Sequence, residues 1–200
     1  DLAGTAKYKV VNARVISLGS TSSFTQTISI DAGTNNGIRQ NMTVITGLGL
    51  VGVVKMSYPN SALIQLATDP AFRVGARVAG SQQIGILSGQ GTGKGVLQLL
   101  DNRTTLKVGD VILARGSQHN RPFVPGVPIG EVTSVDNAAG AITQTADVKF
   151  YVNFSTVSIV AVVVGPPQSD PRDALVPKAP VPTPVPTVTI YAKPSESPTP

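Results

Sequence analysis

Thr25-Gln26-Thr27-Ile28-Ser29-Ile30-Asp31-Ala32-Gly33 alternates two sets of side chains and then stops. Thr25, Thr27 and Ser29 fall on one face of an extended chain and Gln26, Ile28 and Ile30 on the other, and Asp31-Ala32-Gly33 is turn chemistry. The same period of two recurs on either side in short pieces bounded by Gly, Asn, Asp or Pro. These are Lys9 to Leu18, Met42 to Thr46, Leu50 to Met56, Ala62 to Thr68, Arg73 to Ala79, Ile84 to Ser88, Val96 to Leu100, Asp110 to Ala114, Ile129 to Val135, Ile142 to Val148 and Ser155 to Val164. Asn60 to Phe72 also carries helical apolar spacing, but Pro59 and Asp69-Pro70 cut it too short, and a strand is expected there. About a dozen strands is more than one small barrel uses. The expected fold is therefore all-β, two barrels of about six strands side by side. The first would span residues 1–72, with 151–165 as a possible completing piece, and the second 73–150. Which barrel takes the last strand is left open by the pattern.

Composition breaks at Gly165. Eleven of the 16 prolines and no glycine lie beyond it. Proline fixes φ and lacks a backbone donor, so residues 166–200 are expected to be a flexible, disordered Pro-rich tail, extended rather than folded. Val188 to Ala192 is a strand-like island within it that the pattern does not assign.

The residue inventory removes much chemistry. With no Cys there is no disulfide, thiolate metal site or cysteine nucleophile, and a single histidine, His119, precludes a multi-histidine metal centre. Gly89-Gln90-Gly91-Thr92-Gly93-Lys94-Gly95 resembles a phosphate loop but fails it. Ser88 stands where the first glycine is required, Gly95 where a magnesium-binding hydroxyl is required, and a strand rather than a helix follows. A hairpin is expected instead. His119, Asp136 or Asp147, and Ser155 or Ser158 occur in the order of a chymotrypsin-like triad, yet neither serine has the glycine frame that builds an oxyanion hole. The acidic residues are scattered along the chain and show no paired-carboxylate spacing. No catalytic residue, cofactor or metal is expected. A cryptic hydrolase remains a third reading, testable with a serine-reactive probe and Ser155→Ala.

Charge gives a weaker signal. The chain carries +5, from 16 Lys and Arg against 11 Asp and Glu, and the excess lies before Pro166. Such a surface suits a polyanion, whether cell-wall polymer or nucleic acid, and a polyanion-binding module is the alternative reading. Arg73, Arg77, Arg103, Arg115 and Arg121 are scattered singly, without the stacking aromatics of a nucleic-acid site, so no nucleic-acid partner is expected. The longest apolar run, Val157 to Val164, is too short to span a bilayer.

Seven segments in order carry a resemblance. They are Ala13-Arg14-Val15-Ile16; Ile30-Asp31-Ala32-Gly33 leading to Asn36-Gly37-Ile38; Gly49-Leu50-Val51-Gly52-Val53-Val54; Leu66-Ala67-Thr68-Asp69; Gly85-Ile86-Leu87-Ser88-Gly89; Val108-Gly109-Asp110-Val111-Ile112; and Phe123-Val124-Pro125-Gly126-Val127-Pro128-Ile129-Gly130-Glu131-Val132. Together they resemble the MreC family of bacterial rod shape-determining proteins, from about Val11 to Val164. The Pro-Gly-x-Pro-Ile-Gly stretch is the most telling. Ala114-Arg115-Gly116 departs from the family, which tends to have Thr-Ser-Gly there.

The resemblance implies a non-catalytic cell-shape scaffold of two small β-barrels, outside the cytoplasm and held to the membrane by an N-terminal segment absent from this chain. The implied partners are a second copy in a dimer or filament, a class B penicillin-binding protein, the membrane protein MreD and, indirectly, the actin-like MreB. Binding would use exposed strand edges and apolar loop residues. The first loop to consider is that of Arg121, Phe123 and Val124, because a Phe beside prolines is hard to bury in a small barrel. Gly33, Gly37, Gly49, Gly52, Gly109, Gly126 and Gly130 are expected to serve turns that need positive φ.

Overall fold

The structure is a computed structural model, and it describes residues 8–19, 25–81, 83–91, 93–100, 106–136, 143–165 and 170–177. Twelve strands form in that part of the chain. The first barrel contains β1 (Lys9–Leu18), β2 (Thr27–Ile30), β3 (Thr43–Ile45), β4 (Leu50–Ser57), β5 (Ala62–Leu66) and β12 (Ile159–Gly165), closed in the order β1-β12-β3-β4-β5-β2. The second contains β6 (Arg73–Val78), β7 (Ile84–Gly89), β8 (Lys94–Leu99), β9 (Val111–Ala114), β10 (Pro128–Asp136) and β11 (Thr145–Phe150), closed as β10-β11-β8-β7-β6-β9. The all-β, two-barrel expectation holds. Asn60 to Phe72 yields the strand β5, not a helix, and Gly89 pairs with Gly95 across the β7–β8 hairpin.

Alternation explains the cores. In β6, β8 and β11 every second residue is buried, so Val74, Ala76, Val78, Leu97, Leu99, Ala146 and Val148 fill the second barrel. Ile28, Ile30, Val44, Val54, Ile64, Val160 and Val162 fill the first. Each such side chain contributes about 1.5–3 kcal/mol by leaving water. β12 departs from simple alternation because it has apolar neighbours on both faces. Val160 and Val162 face the first core, whereas Val163 joins Tyr8, Ile45 and Leu50 in the cluster that continues into the second barrel. Its place between β1 and β3 is fixed by the pairs Ala13–Val160 and Ala161–Ile45.

Two expectations are corrected by this topology. Both sheets close on themselves, so among the described residues the barrels leave no open sheet edge for a second copy to extend. The folded chain also does not end at Gly165. Residues Asp170–Pro177 lie against the second barrel, with a 3₁₀ turn at Arg172–Leu175 and Leu175 buried in that barrel's apolar cluster. Proline content points to a free tether there; one leucine and one aspartate supply the anchors that composition does not reveal. The rest of the expected tail, residues 166–169 and 178–200 with Val188 to Ala192 among them, lies outside the described residues.

Candidate interaction surfaces and the seam between the barrels

The seam is built from the loop that follows β9. A 3₁₀ turn at Gln118–Asn120, with His119 and Asn120 at φ 58° and 56°, leads into a cis Arg121–Pro122 bond and then to Phe123. Phe123 is only 5% exposed and meets Phe72 edge-on, centroids 5.4 Å apart at 76°. The Thr43 hydroxyl of β3 donates to the Pro122 carbonyl at 2.8 Å and accepts the Val124 amide at 3.0 Å. The Tyr8 hydroxyl donates to the Pro125 carbonyl at 2.6 Å. Burial, then the negative charge of Asp170, pushes the Tyr8 pKa well above its ordinary value. Side chains of the first barrel thus satisfy the backbone of a proline-rich loop that could not otherwise be buried.

A second weld is polar. Asp69, fully buried, follows β5 and accepts three hydrogen bonds: from the Gln26 amide at 2.5 Å, the Ala71 amide at 2.8 Å and the Gln65 side chain at 3.0 Å. The Thr68 hydroxyl donates to the Gln26 side-chain oxygen, while the Gln26 amide group donates to the Gly91 carbonyl at 2.7 Å. The Gly91 amide in turn reaches the Thr68 carbonyl at 2.7 Å. The β7–β8 hairpin of the second barrel is therefore fastened to the β2 entrance and β5 exit of the first. By its sequence Asp69 reads as a turn residue. Its following proline makes that natural; Gln65 lies four residues before it on β5, and Gln26, which completes the cluster, lies 43 positions away.

The candidate contact loop divides. Arg121 is exposed, but Phe123 and Val124 are buried in the seam and are corrected from contact residues to packing residues. The glycines divide too. Gly37, Gly109 and Gly126 have φ of 82°, 92° and 84°, the left-handed region that favours glycine. Gly33, Gly52 and Gly130 are not left-handed. A Cβ there would fall on the carbonyl oxygens of Tyr58, Gln65 and Lys149 respectively, so close backbone approach is their reason. Gly49 has a positive φ of 158° and also lies against the Pro128 carbonyl across the seam, where a Cβ would collide.

The exposed apolar surface lies elsewhere. Ile16 and Leu18 on β1 and Ile159 on β12 are 60%, 61% and 62% exposed. Arg14 is the register partner of Ile159 and also points outward, and Ile16, two residues on, shares that outer face; Leu18, beyond an irregularity between Val15 and Ser17, pairs with the buried Ile28 and lies on the opposite face at the strand's end. The signal was present in Arg14-Val15-Ile16, where alternation puts Ile16 on the side opposite the core. Exposed apolar residues grouped this way mark contact sites. His119, Ser155 and Ser158 are exposed. Among the described residues no three His, Cys, Asp or Glu side chains gather as a metal site would require.

The family described as "Rod shape-determining protein MreC, barrel core" matches residues 15–164. The cell shape-determining protein MreC of Listeria monocytogenes is 31% identical over 147 residues, covering 71% of this chain and 49% of that protein. The chain thus spans about half the length of that curated relative. The crystal structure of MreC from Pseudomonas aeruginosa is 25% identical with a TM-score of 0.69, covering 78% of this chain and 99% of that one. A Helicobacter pylori MreC solved in complex with penicillin-binding protein PBP2 shares the fold, at 14% identity and a TM-score of 0.59, with 78% and 100% covered. Strand order, the paired barrels and the Pro-Gly-x-Pro-Ile-Gly loop that locks them all lie within the matched residues, and the chain belongs to the MreC family of rod shape-determining proteins.

Proposed function

We propose that this chain is a non-catalytic cell-shape scaffold, acting outside the cytoplasm, that self-associates and binds a class B penicillin-binding protein and MreD, with MreB linked indirectly. The observation that carries the reading is the grouping of the exposed Ile16 and Ile159 on the outside of a barrel whose described strands close on themselves. A rigid body welded at Asp69 and Thr43 holds such a face in fixed orientation, which is what a scaffold needs and what preorganisation rewards. The solved complex of a protein of this fold with PBP2 supports the choice of partner. The penicillin-binding protein takes the Ile16 face in this reading, with Arg14 as a flanking polar contact. The test is capture of a transpeptidase ectodomain on immobilised chain, with light scattering for self-association. Retention with a mass above the monomer supports the reading; a strict monomer that retains no ectodomain at tens of micromolar contradicts it.

A further inference from the structure

Beyond residue 164, where the family match ends, the chain turns back onto its own second barrel. Arg77 on β6 is directed at Asp173: Nη1 lies 2.5 Å from Oδ1, and the Gly80 amide donates to Oδ2 at 3.0 Å. Both oxygens of one carboxylate are therefore held, by a guanidinium and by the amide of the β6–β7 turn. Leu175, 5% exposed, is buried in the apolar cluster that holds the second barrel's core. Pro171 lies on Gly126, where any Cβ would collide with its ring. Anchors at Pro171, Asp173 and Leu175 read a short peptide by shape, charge and apolar volume.

The occupant does not use everything the site offers. Arg77 Nη2 is buried and has no hydrogen-bond partner among the described residues. A cleft of about 410 Å³, lined by Arg77, Gly80, Ser81, Asp170, Arg172 and Asp173, opens beside it. A planar guanidinium engages a carboxylate best through two nitrogens, and here one is left unpaired. An incoming peptide whose acidic side chain reached both nitrogens would satisfy a donor that the resident segment does not.

We propose that the second barrel carries a docking site for an acidic–apolar peptide, Asp followed two residues later by Leu, and that Asp170–Pro177 is its resident occupant, displaced when a partner presents a better-fitting acidic segment. Residues 166–169 are the only link between β12 and the segment, so the resident occupant competes at a high effective concentration. A closed site and an open site follow, and the anchors say which side chains separate them. This proposal stands apart from the assignment of the Ile16 face and does not depend on it.

The test uses the full 200-residue chain and a fluorescein-labelled peptide with the sequence of residues 168–178. Replacing Asp173 and Leu175 together by Ala in the chain empties the site. Fluorescence anisotropy is expected to show the peptide binding this opened chain at least about tenfold more tightly than the wild type. Adding Arg77→Ala or Arg77→Lys to the opened chain is expected to abolish that gain, since Lys keeps charge but not the fork. A peptide carrying Asp173→Ala is expected not to bind. Circular dichroism and a thermal melt establish that each variant remains folded. Equal binding to opened and wild-type chains, no binding to a folded opened chain, or undiminished binding to the folded Arg77→Lys form would each overturn the proposal.

Discussion

Thr43 and Val124 meet across the seam, the hydroxyl of one accepting the amide of the other at 3.0 Å although they are 81 positions apart. The same hydroxyl donates to the Pro122 carbonyl, so one side chain of the first barrel satisfies two backbone groups of the second. Thr43→Val keeps the volume and orphans both groups. A loss of about 2 kcal/mol in urea unfolding is expected, near the cost of unmet buried hydrogen bonds. Phe123→Ala removes the ring packed on Phe72, with an expected loss of about 3–5 kcal/mol. A contact residue on the surface would change stability by less than about 0.5 kcal/mol, and that result would restore Phe123 to the outside.

Asp69 holds the other weld. Asp69→Ala leaves the amides of Gln26 and Ala71 and the Gln65 side chain without their acceptor. The expected destabilisation is about 3 kcal/mol or more, with faster amide exchange at Gln26 and Gly91 than in the cores. Asp69→Asn, which retains one acceptor oxygen, is expected to cost less. Equal stability of wild type and Asp69→Ala in denaturant would remove this cluster from the account.

Two glycines separate conformation from space. Gly109, at φ 92° with nothing within 4 Å of the point a Cβ would occupy, should tolerate Asn with a loss of about 1 kcal/mol or less. At Gly130 even Ala would strike the Lys149 carbonyl, the neighbouring backbone of β11. A drop of several degrees in Tm is expected for Gly130→Ala, more than for Gly109→Asn. The reverse order would show that turn geometry, not strand approach, governs the Pro-Gly-x-Pro-Ile-Gly segment.

The docked segment should respond to acid. The hydrogen bond from Arg77 is the largest cause holding Asp173 below its ordinary 3.8, opposed by partial burial and reinforced by the Gly80 amide and the charges of Arg77 and Arg172. A carboxylate with a depressed folded pKa contributes stability that is complete above about 3.8 and is lost as pH falls through the folded value. Exchange of the Leu175 amide should accelerate in that acid range. Added salt should have the same effect, because the Asp173 side chain is 43% exposed. Tyr8 has the opposite sign. Its folded pKa is raised, so its contribution is present below the ordinary 10.0 and lost at higher pH, and alkali should loosen the seam at Pro125. An exchange rate at Leu175 independent of pH and salt would contradict the assigned role of Asp173.

The strands were legible because their pattern is local. β1 runs over the same Lys9–Leu18 that the alternation marks, and β4 and β9 differ from it by a residue at one end. What the sequence did not expose was anything settled by distant partners. Phe123 and Val124 look external because prolines flank them, and they are internal because Thr43 and Tyr8 come from the other barrel to meet the loop backbone. Asp170–Pro177 looks like tether because its composition is tether-like; Arg77, which holds it through Asp173, belongs to a barrel completed before residue 151. Ile16 was readable in principle, since alternation places it with Arg14 on the outer side of β1.

The most direct test of the scaffold reading is the affinity of an immobilised chain for a class B penicillin-binding protein ectodomain, compared between wild type and the double variant Ile16→Glu, Ile159→Glu. The account predicts binding by wild type, a loss of at least about tenfold in the variant, and melting temperatures that differ little because both side chains already face water. Undiminished binding by a folded double variant would contradict it.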